Sequence, residues 1–308
     1  AFGLRSLPCL GQMRSVGIDV PAMARAGLLD FVVASNVHQA TWDEPFDRLR
    51  HELGPEVRLF GVINTEPNWL PCHDPAGGVS GTRRMYTTPE LVRGNAAGKW
   101  TLGADGIESF NFFLQPDPSL PDPANRRCFE VWKEIGNLAT LRGKDKQYTF
   151  STMRQGRVRD PNEDYFEQLP ALLAEHQRRA FHLPMCAEPS ESAMELIVQI
   201  VVARESDLAP IGVSFNGSWP VYDGKPTDAL LFRAVSRKHP PDAPLTRHTP
   251  AHQAFDFRFP AGAIRDGWND VTVYYGGMAR AGSADSSRPP LRIQSIELAV
   301  RSGAQSTG

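Results

Sequence analysis

The sequence predicts an α/β part followed by an all-β part. The first is the C-terminal half of a (β/α)8 barrel over residues 1–150; a connector covers 151–167, and a jelly-roll-like β-sandwich covers 168–308. Three observations predict this. Gly103-Ala-Asp-Gly-Ile-Glu-Ser-Phe-Asn-Phe-Phe113 reads as a tight turn entering a buried parallel strand, which stops at Gln115-Pro116-Asp117-Pro118. Upstream, strand-like and helix-like segments alternate up to about Leu141. Past Gly143 the texture changes to short β-rich runs parted by Gly, Pro, Asn and Asp.

In chain order, Leu4 to Leu10 reads as a strand remnant. Gly17 to Ala26 reads as a helix with Asp19 as its cap and Pro21 in its first turn. Gly27 ends that helix and Leu28 to Ser35 is a continuous apolar strand. Pro45 to Leu53 is a helix closed by Gly54, and Val57 to Ile63 is the next strand. A long Pro/Gly-rich loop leads to Thr88, which caps a helix over Pro89 to Thr101, with Glu90 in its first turn. The Gly103–Phe113 strand follows, then a helix over Asn125 to Ile135. Near-continuous apolar strands argue for a parallel sheet with covered faces.

A complete eight-unit barrel takes about 250 residues, more than this region offers, and half a barrel leaves two open sheet edges. A truncated barrel, or halves that assemble, is the expectation. The chain begins Ala1-Phe-Gly with no initiator Met and no signal pattern, which fits a mature secreted form or a fragment of a longer product, and the truncated barrel favours the fragment. The β-rich runs are Glu195–Ala203, Ile211–Phe215, Leu230–Val235, Ala254–Phe259, Asn269–Tyr275 and Leu291–Val300. Phe215-Asn-Gly217 reads as the turn between paired strands.

Apolar residues make up 41 % of the chain and aromatic ones 9 %, enough for sizeable cores. Formal charge is −2, and no basic run suggests a nucleic-acid partner. No apolar stretch of about 18 residues predicts a membrane span. Cys9, Cys72, Cys128 and Cys186 are scattered without Cys-x-x-Cys spacing and read as reduced, structural residues. No motif assigns a compartment or an oligomeric state.

Barrel enzymes build their sites at the carboxyl ends of the strands. The residues there are Asn36, His38, Gln39 and Trp42 after the first full strand, Asn64, Glu66, Asn68 and Trp69 after the second, and Asn111 and Gln115 in and after the third. Amide, carboxylate, imidazole and indole together suit a sugar: polar groups bond its hydroxyls and indole faces stack on its ring. Glu66, three residues past Ile63, is the sharpest candidate; the alternative is a loop carboxylate, solvated or paired with Arg83 or Arg84. Glycoside hydrolysis needs two carboxyl groups, about 5–5.5 Å apart for retention. Glu108 alternates with Phe110 and Phe112, and two phenylalanines suit the helix-packed face, so Glu108 is expected there in a structural pairing; in the reversed phase it points into the barrel as an acid. His38 is a base, a ligand or a bystander. Cys72-His73-Asp74 has no second ligand pair and is expected to bind no metal. Gly77-Gly78 and Gly276-Gly277 match no phosphate fingerprint, and no cofactor is expected. Asp105 is assigned to the turn at the strand's amino end.

The first 140 or so residues resemble the last part of glycosyl-hydrolase-like barrels of the bacterial "glycosyl hydrolase-like 10" type. Gly17-Ile-Asp-Val and Ala26-Gly-Leu-Leu-Asp-Phe-Val-Val carry the sixth strand of the resemblance. Val57-Arg-Leu-Phe-Gly-Val carries the seventh, Gly103-Ala-Asp-Gly-Ile with Phe110-Asn-Phe112 the eighth, and Phe129 to Leu141 a closing helix. The resemblance implies a carbohydrate-active enzyme with an appended β-sandwich and a carbohydrate as partner. Glu66 then stands after the seventh strand as catalytic carboxylate, with Asn36, His38, Trp42, Asn64, Trp69 and Asn111 lining the sugar site. The acid expected after the fourth strand lies outside this sequence. A non-catalytic carbohydrate-binding or interaction protein with a degenerate barrel is the alternative. Trp219 and Tyr222 read as core aromatics of the sandwich, with a binding platform as their other reading.

Overall fold

Apolar runs of four to seven residues at the start of the chain form a parallel sheet, as the alternation with helices requires. In a computed structural model, residues 1–35, 40–64, 69–73, 79–85, 88–110, 129–150, 168–205, 207–222, 224, 226–227, 231, 234–236, 252–276 and 288–302 are described. The N-terminal elements are β1 (Gly3–Ser6), α1 (Leu10–Ser15), α2 (Val20–Arg25), β2 (Phe31–Ala34), α3 (Phe46–Leu53) and β3 (Arg58–Asn64). A hairpin follows, β4 (Trp69–His73) and β5 (Val79–Met85), then α4 (Pro89–Thr101) and β6 (Gly106–Phe110).

Strands β1, β2, β3 and β6 pair in that order, all parallel, in a four-stranded sheet. Among the described residues the sheet is open, with β1 and β6 at its edges. The expected caps are present. The Asp19 carboxylate accepts from the Ala22 amide at 3.1 Å, Thr88 accepts from the Leu91 amide at 3.2 Å, and Gly54 closes α3 at φ 73°.

Sequence and structure part company at three places. Strand β1 stops at Ser6, and Leu10, the expected end of that strand, opens α1. The loop before α4 contains the β4–β5 hairpin, and β13 (Ala234–Ser236) adds to β5. The expected helix over Asn125 to Ile135 is α-helical at Phe129 and Glu130 and gives way to 3-10 turns at Val131–Lys133 and Leu138–Thr140. Residues 111–128, with the end of the opening strand and the start of that helix, lie outside the described residues.

The β-rich part comprises β7 (Lys146–Thr149), β8 (Ala171–Leu173), β9 (Arg178–Met185), β10 (Met194–Ala203), β11 (Ile211–Phe215), β12 (Pro226–Thr227), β14 (His252–Pro260), β15 (Gly267–Tyr275) and β16 (Leu291–Ser302). One antiparallel sheet has the order β12-β14-β10-β16-β7, with β8 also on β16; the other has the order β11-β15-β9. Leu196, Val198, Ile200 and Val202 alternate inward from β10 and meet Phe181, Val213, Val271 and Val273 of the smaller sheet in one core. Strand β7, which precedes residue 150, pairs with β16 and so belongs to this sheet. Strand β9 escaped the sequence reading because it opens on Arg178-Arg179 and contains Pro184. It lies at a sheet edge, where proline is tolerated.

Helix α4 joins the two parts. One face carries Val92, Ala96 and Ala97 against Ile63 of β3. Another lies on the backbones of β7 and β9: a Cβ on Gly94 would sit 2.0 Å from the Gln147 carbonyl oxygen, and one on Gly98 2.8 Å from that of Pro184. Only glycine fits at this approach. Gly94→Ala gains about 1 kcal/mol of helix propensity but overpacks a backbone contact, at about 1–3 kcal/mol or more. We expect a net loss of stability, read as a lower urea midpoint. Gly136→Ala, with no atom within 4 Å of the added methyl, is the neutral control. Equal midpoints for the two variants would refute the close approach.

Candidate functional site

Register fixes which side chains share a face of the parallel sheet. Val32 pairs with Leu59, and both pack on α1–α3; Gly61 pairs with Ile107, which packs on the α4 cluster. The opposite face therefore carries Arg5, Val33, Ser35, Phe60, Val62, Asn64, Glu108 and Phe110. This corrects the expectation for Glu108: Ile107 takes the helix-packed position, so Glu108 and Phe110 turn away from the helices.

On this face Arg5 is the organising residue. Its Nη1 lies 3.4 Å from Glu108 Oε1, its Nη2 donates to Ser35 Oγ at 3.4 Å, and its guanidinium carbon stands 3.4 Å from the Phe110 ring centre. Arg5 and Glu108 sit on opposite edge strands, three spacings of about 4.8 Å apart. Their contact requires the sheet to curl toward this face. Both are about one-third exposed (34 % and 36 %), which leaves the carboxylate open to solvent. The sequence reading missed Arg5; an arginine inside a short strand of a buried sheet was the available signal.

The strands are parallel and in register, so β2, β3 and β6 end at the same side of the sheet. Asn64 is the last residue of β3, buried at 3 %, paired in register with Phe110. Asn36, His38, Glu66 and Asn111 lie outside the described residues. Trp69 opens β4, which pairs with β5. Trp42 needs a correction. Its indole is 2 % exposed and packs in the sandwich core with Ala40 and Leu91, so no face is left for a sugar.

The segment that carries Trp42 is tied down by a buried polar cluster. Lys99 of α4 lays its stem against Gly61 and brings its ammonium 2.8 Å from Glu44 Oε2, both side chains 1 % exposed. The same ammonium donates to the Thr41 carbonyl at 2.6 Å, and Asn95, one turn earlier, donates to it at 2.7 Å. Asp43 accepts from Gln168, whose side chain also bonds the backbone of His182 in β9.

The amino end of the sheet is built for stability. Arg50 donates to the carbonyls of Gly103, Gly54 and Val57 and to the Asp105 carboxylate, which also accepts from the Leu59 amide at 2.8 Å and faces Arg58. Burial works to raise the Asp105 pKa, but the Leu59 amide and the two guanidiniums outweigh it and hold it below the usual range.

A second buried cluster lies under β7 and β9. Lys146 and Glu188 are 2.8 Å apart and covered, with Cys186 Sγ 3.7 Å from Glu188 and 3.6 Å from the Tyr148 hydroxyl. Burial pushes the Cys186 thiol up to about 11 against the pull of Lys146, so it is a protonated packing group rather than a nucleophile. Among the described residues Cys9 and Cys186 are buried thiols outside any disulfide, no group of three or more His, Cys, Asp or Glu could hold a metal, and no helix is long and apolar enough to cross a membrane.

No protein-family model matches the chain, and no curated protein does. Among solved structures, BuGH86 in complex with neoagarooctaose is similar at a TM-score of 0.26 and 9 % identity, over 44 % of this chain and 18 % of that one. A variant of the same protein gives 0.26 and 8 %, over 42 % and 17 %. BpGH86A, a β-porphyranase of glycoside hydrolase family 86 from the human gut bacterium Bacteroides plebeius, gives 0.23 and 10 %, over 92 % and 65 %. The chain thus spans less than a fifth of the first two. At these scores the likeness identifies no shared fold and carries no argument about what this chain does.

Two outcomes follow from the ion pairs. Lys99→Met leaves the Glu44 carboxylate buried without its cation, and we expect a loss of about 3–5 kcal/mol in chemical denaturation. Adding Glu44→Gln should recover much of it; a double variant no better than Lys99→Met alone would rule out the pairing. For Asp105 the depressed folded-state pKa means its contribution is complete above the unfolded value of about 3.9 and is lost as pH falls through the folded one. Asp105→Asn should therefore lower the melting temperature more at pH 7 than at pH 2. A deficit of equal size at both values would contradict the charge-based account.

Proposed function

We propose that this chain is the C-terminal part of a glycoside-hydrolase-like (β/α)8 barrel, carrying a jelly-roll-like sandwich and acting on a carbohydrate. The observation that supports it best is the parallel sheet. Its four strands run in sequence order with helices on one face. Three of its carboxyl ends are followed in the chain by Asn36 and His38, by Glu66, and by Asn111. Parallel sheets built this way put their chemistry at that end. The polar concave face, with Glu108 and Arg5, would become the lumen once further strands close the barrel.

Under this reading residues 1–150 are the partial barrel, 151–167 the connector and 168–308 the sandwich, with β7 lending one strand across the first boundary. Glu66 is the nucleophile or a carboxylate on the substrate. As nucleophile it attacks the anomeric carbon while an acid from outside this sequence protonates the leaving oxygen, and water then releases the sugar. Asn36, His38, Asn64, Trp69 and Asn111 would bond or stack on the sugar. No cofactor enters such a hydrolysis.

The test is Glu66→Gln in the complete polypeptide, assayed by release of reducing ends from a panel of polysaccharides. We expect turnover to fall by two orders of magnitude or more with the melting temperature unchanged. Near-normal turnover would sink the assignment.

A further inference from the structure

The small sheet of the sandwich presents an aromatic feature that packing does not account for. Residues Asn216 and Gly217, at φ 50° and 82°, make the tight two-residue turn that Asn-Gly favours, and Phe215 and Ser218 exchange both backbone hydrogen bonds across it at 2.9 Å. The chain doubles back, and the next residue is Trp219. Its ring lies against Tyr274 of β15, with centroids 5.1 Å apart and planes at 38°. It also passes over Gly212 of β11, where an added Cβ would meet the indole at 3.8 Å. Yet Trp219 remains 62 % exposed. The expectation that it is a core residue is overturned, and so is its link with Tyr222, which lies beside Arg258 of β14 at 6.0 Å.

Register defines the surroundings. Tyr274 pairs with Gly212 and Arg178, Thr272 with Ser214 and Ala180, and Asp270 with His182, all on the face opposite the core residues Val271 and Val273. Ser214 sits under the rings, its Oγ 3.4 Å from the Tyr274 hydroxyl. Along the strand from the rings, His182 Nδ1 and Asp270 Oδ1 are 2.6 Å apart and both about half exposed. Gly212 and Ala180 keep the sheet surface low beside the indole.

We infer that this face is a binding site for a neutral oligosaccharide: Trp219, backed by Tyr274, stacks on the apolar face of one sugar ring beside Thr272, and the His182–Asp270 pair, four residues or about 13 Å along β15, bonds hydroxyls of a further ring of the same chain. A tryptophan already fixed by stacking loses little freedom on binding. His182 and Asp270 compensate one another, which suits an uncharged polyol, and the exposed Arg178 beside Tyr274 is a hydrogen-bond donor that a sugar hydroxyl can also use. A stable protein partner would need about 800 Å² per side with an apolar centre; here the exposed apolar residues are the short run of Trp219, Val221 and Tyr222, and Tyr222 turns to Arg258 rather than to Trp219. The inference does not rest on the barrel reading.

The experiment is binding of the 308-residue chain to an array of neutral and sulfated oligosaccharides, followed by titration of the best neutral one. Trp219→Ala should weaken binding at least tenfold with the melting temperature unchanged. Val221→Ala, a neighbouring exposed residue, should leave binding intact. His182→Ala should weaken it several-fold. This titration reads Trp219 and His182 whereas the hydrolysis assay reads Glu66, so the two outcomes are obtained separately. Failure to retain any neutral glycan, retention of sulfated glycans alone, or equal affinity in Trp219→Ala would overturn the inference.

Discussion

Close contact along α4 is the constraint on which the rest of the molecule depends. The helix is buried on nearly every side: against β3 through Val92, Ala96 and Ala97, against β7 and β9 through the bare backbones of Gly94 and Gly98, and against the segment after β2 through Asn95 and Lys99. A helix with no outward face shows no amphipathic stripe. Its two glycines cost helix propensity, and their return is an approach too close for any side chain. The parallel sheet and the sandwich are therefore held by one shared element.

The amino end of the parallel sheet and its concave face differ in kind. At the amino end Arg50 satisfies three carbonyls and a carboxylate, and every partner is protein. On the concave face Arg5 and Glu108 are more open: they make a single long contact with each other and stay about one-third exposed. Charge that is fully compensated holds a fold, whereas charge left partly exposed remains available to something that arrives from solution.

Local signals were legible in the sequence because their physics is local. Asp19, Thr88 and Gly54 marked helix ends through caps that need only neighbouring residues, and apolar runs marked β2, β3, β10 and β16. Non-local facts were not legible. Trp42 looked like a loop indole and is a core residue of the sandwich, because its position depends on α4 and β9, far along the chain. Glu108 was assigned to the wrong face because Phe110 was expected among the helices, whereas it lies beneath the Arg5 guanidinium. Arg5 became visible as a site residue only once β1 and β6 were known to face one another across a curled sheet. Of the sugar-site candidates, Asn64 is described at the expected strand end, and Trp42 is not where a ligand could meet it.

The buried anchor formed by Trp42, Asp43 and Glu44 carries a consequence for how such a chain could evolve. The segment bearing Asn36 and His38 is bracketed by β2 on one side and, on the other, by residues fastened into the sandwich and to Gln168. Exchange of the sandwich for an unrelated appendage would uncover an indole and two carboxylates beside the strand ends. The two parts are thus poorly suited to being shuffled as independent modules, because each buries groups that the other leaves exposed when it is taken away.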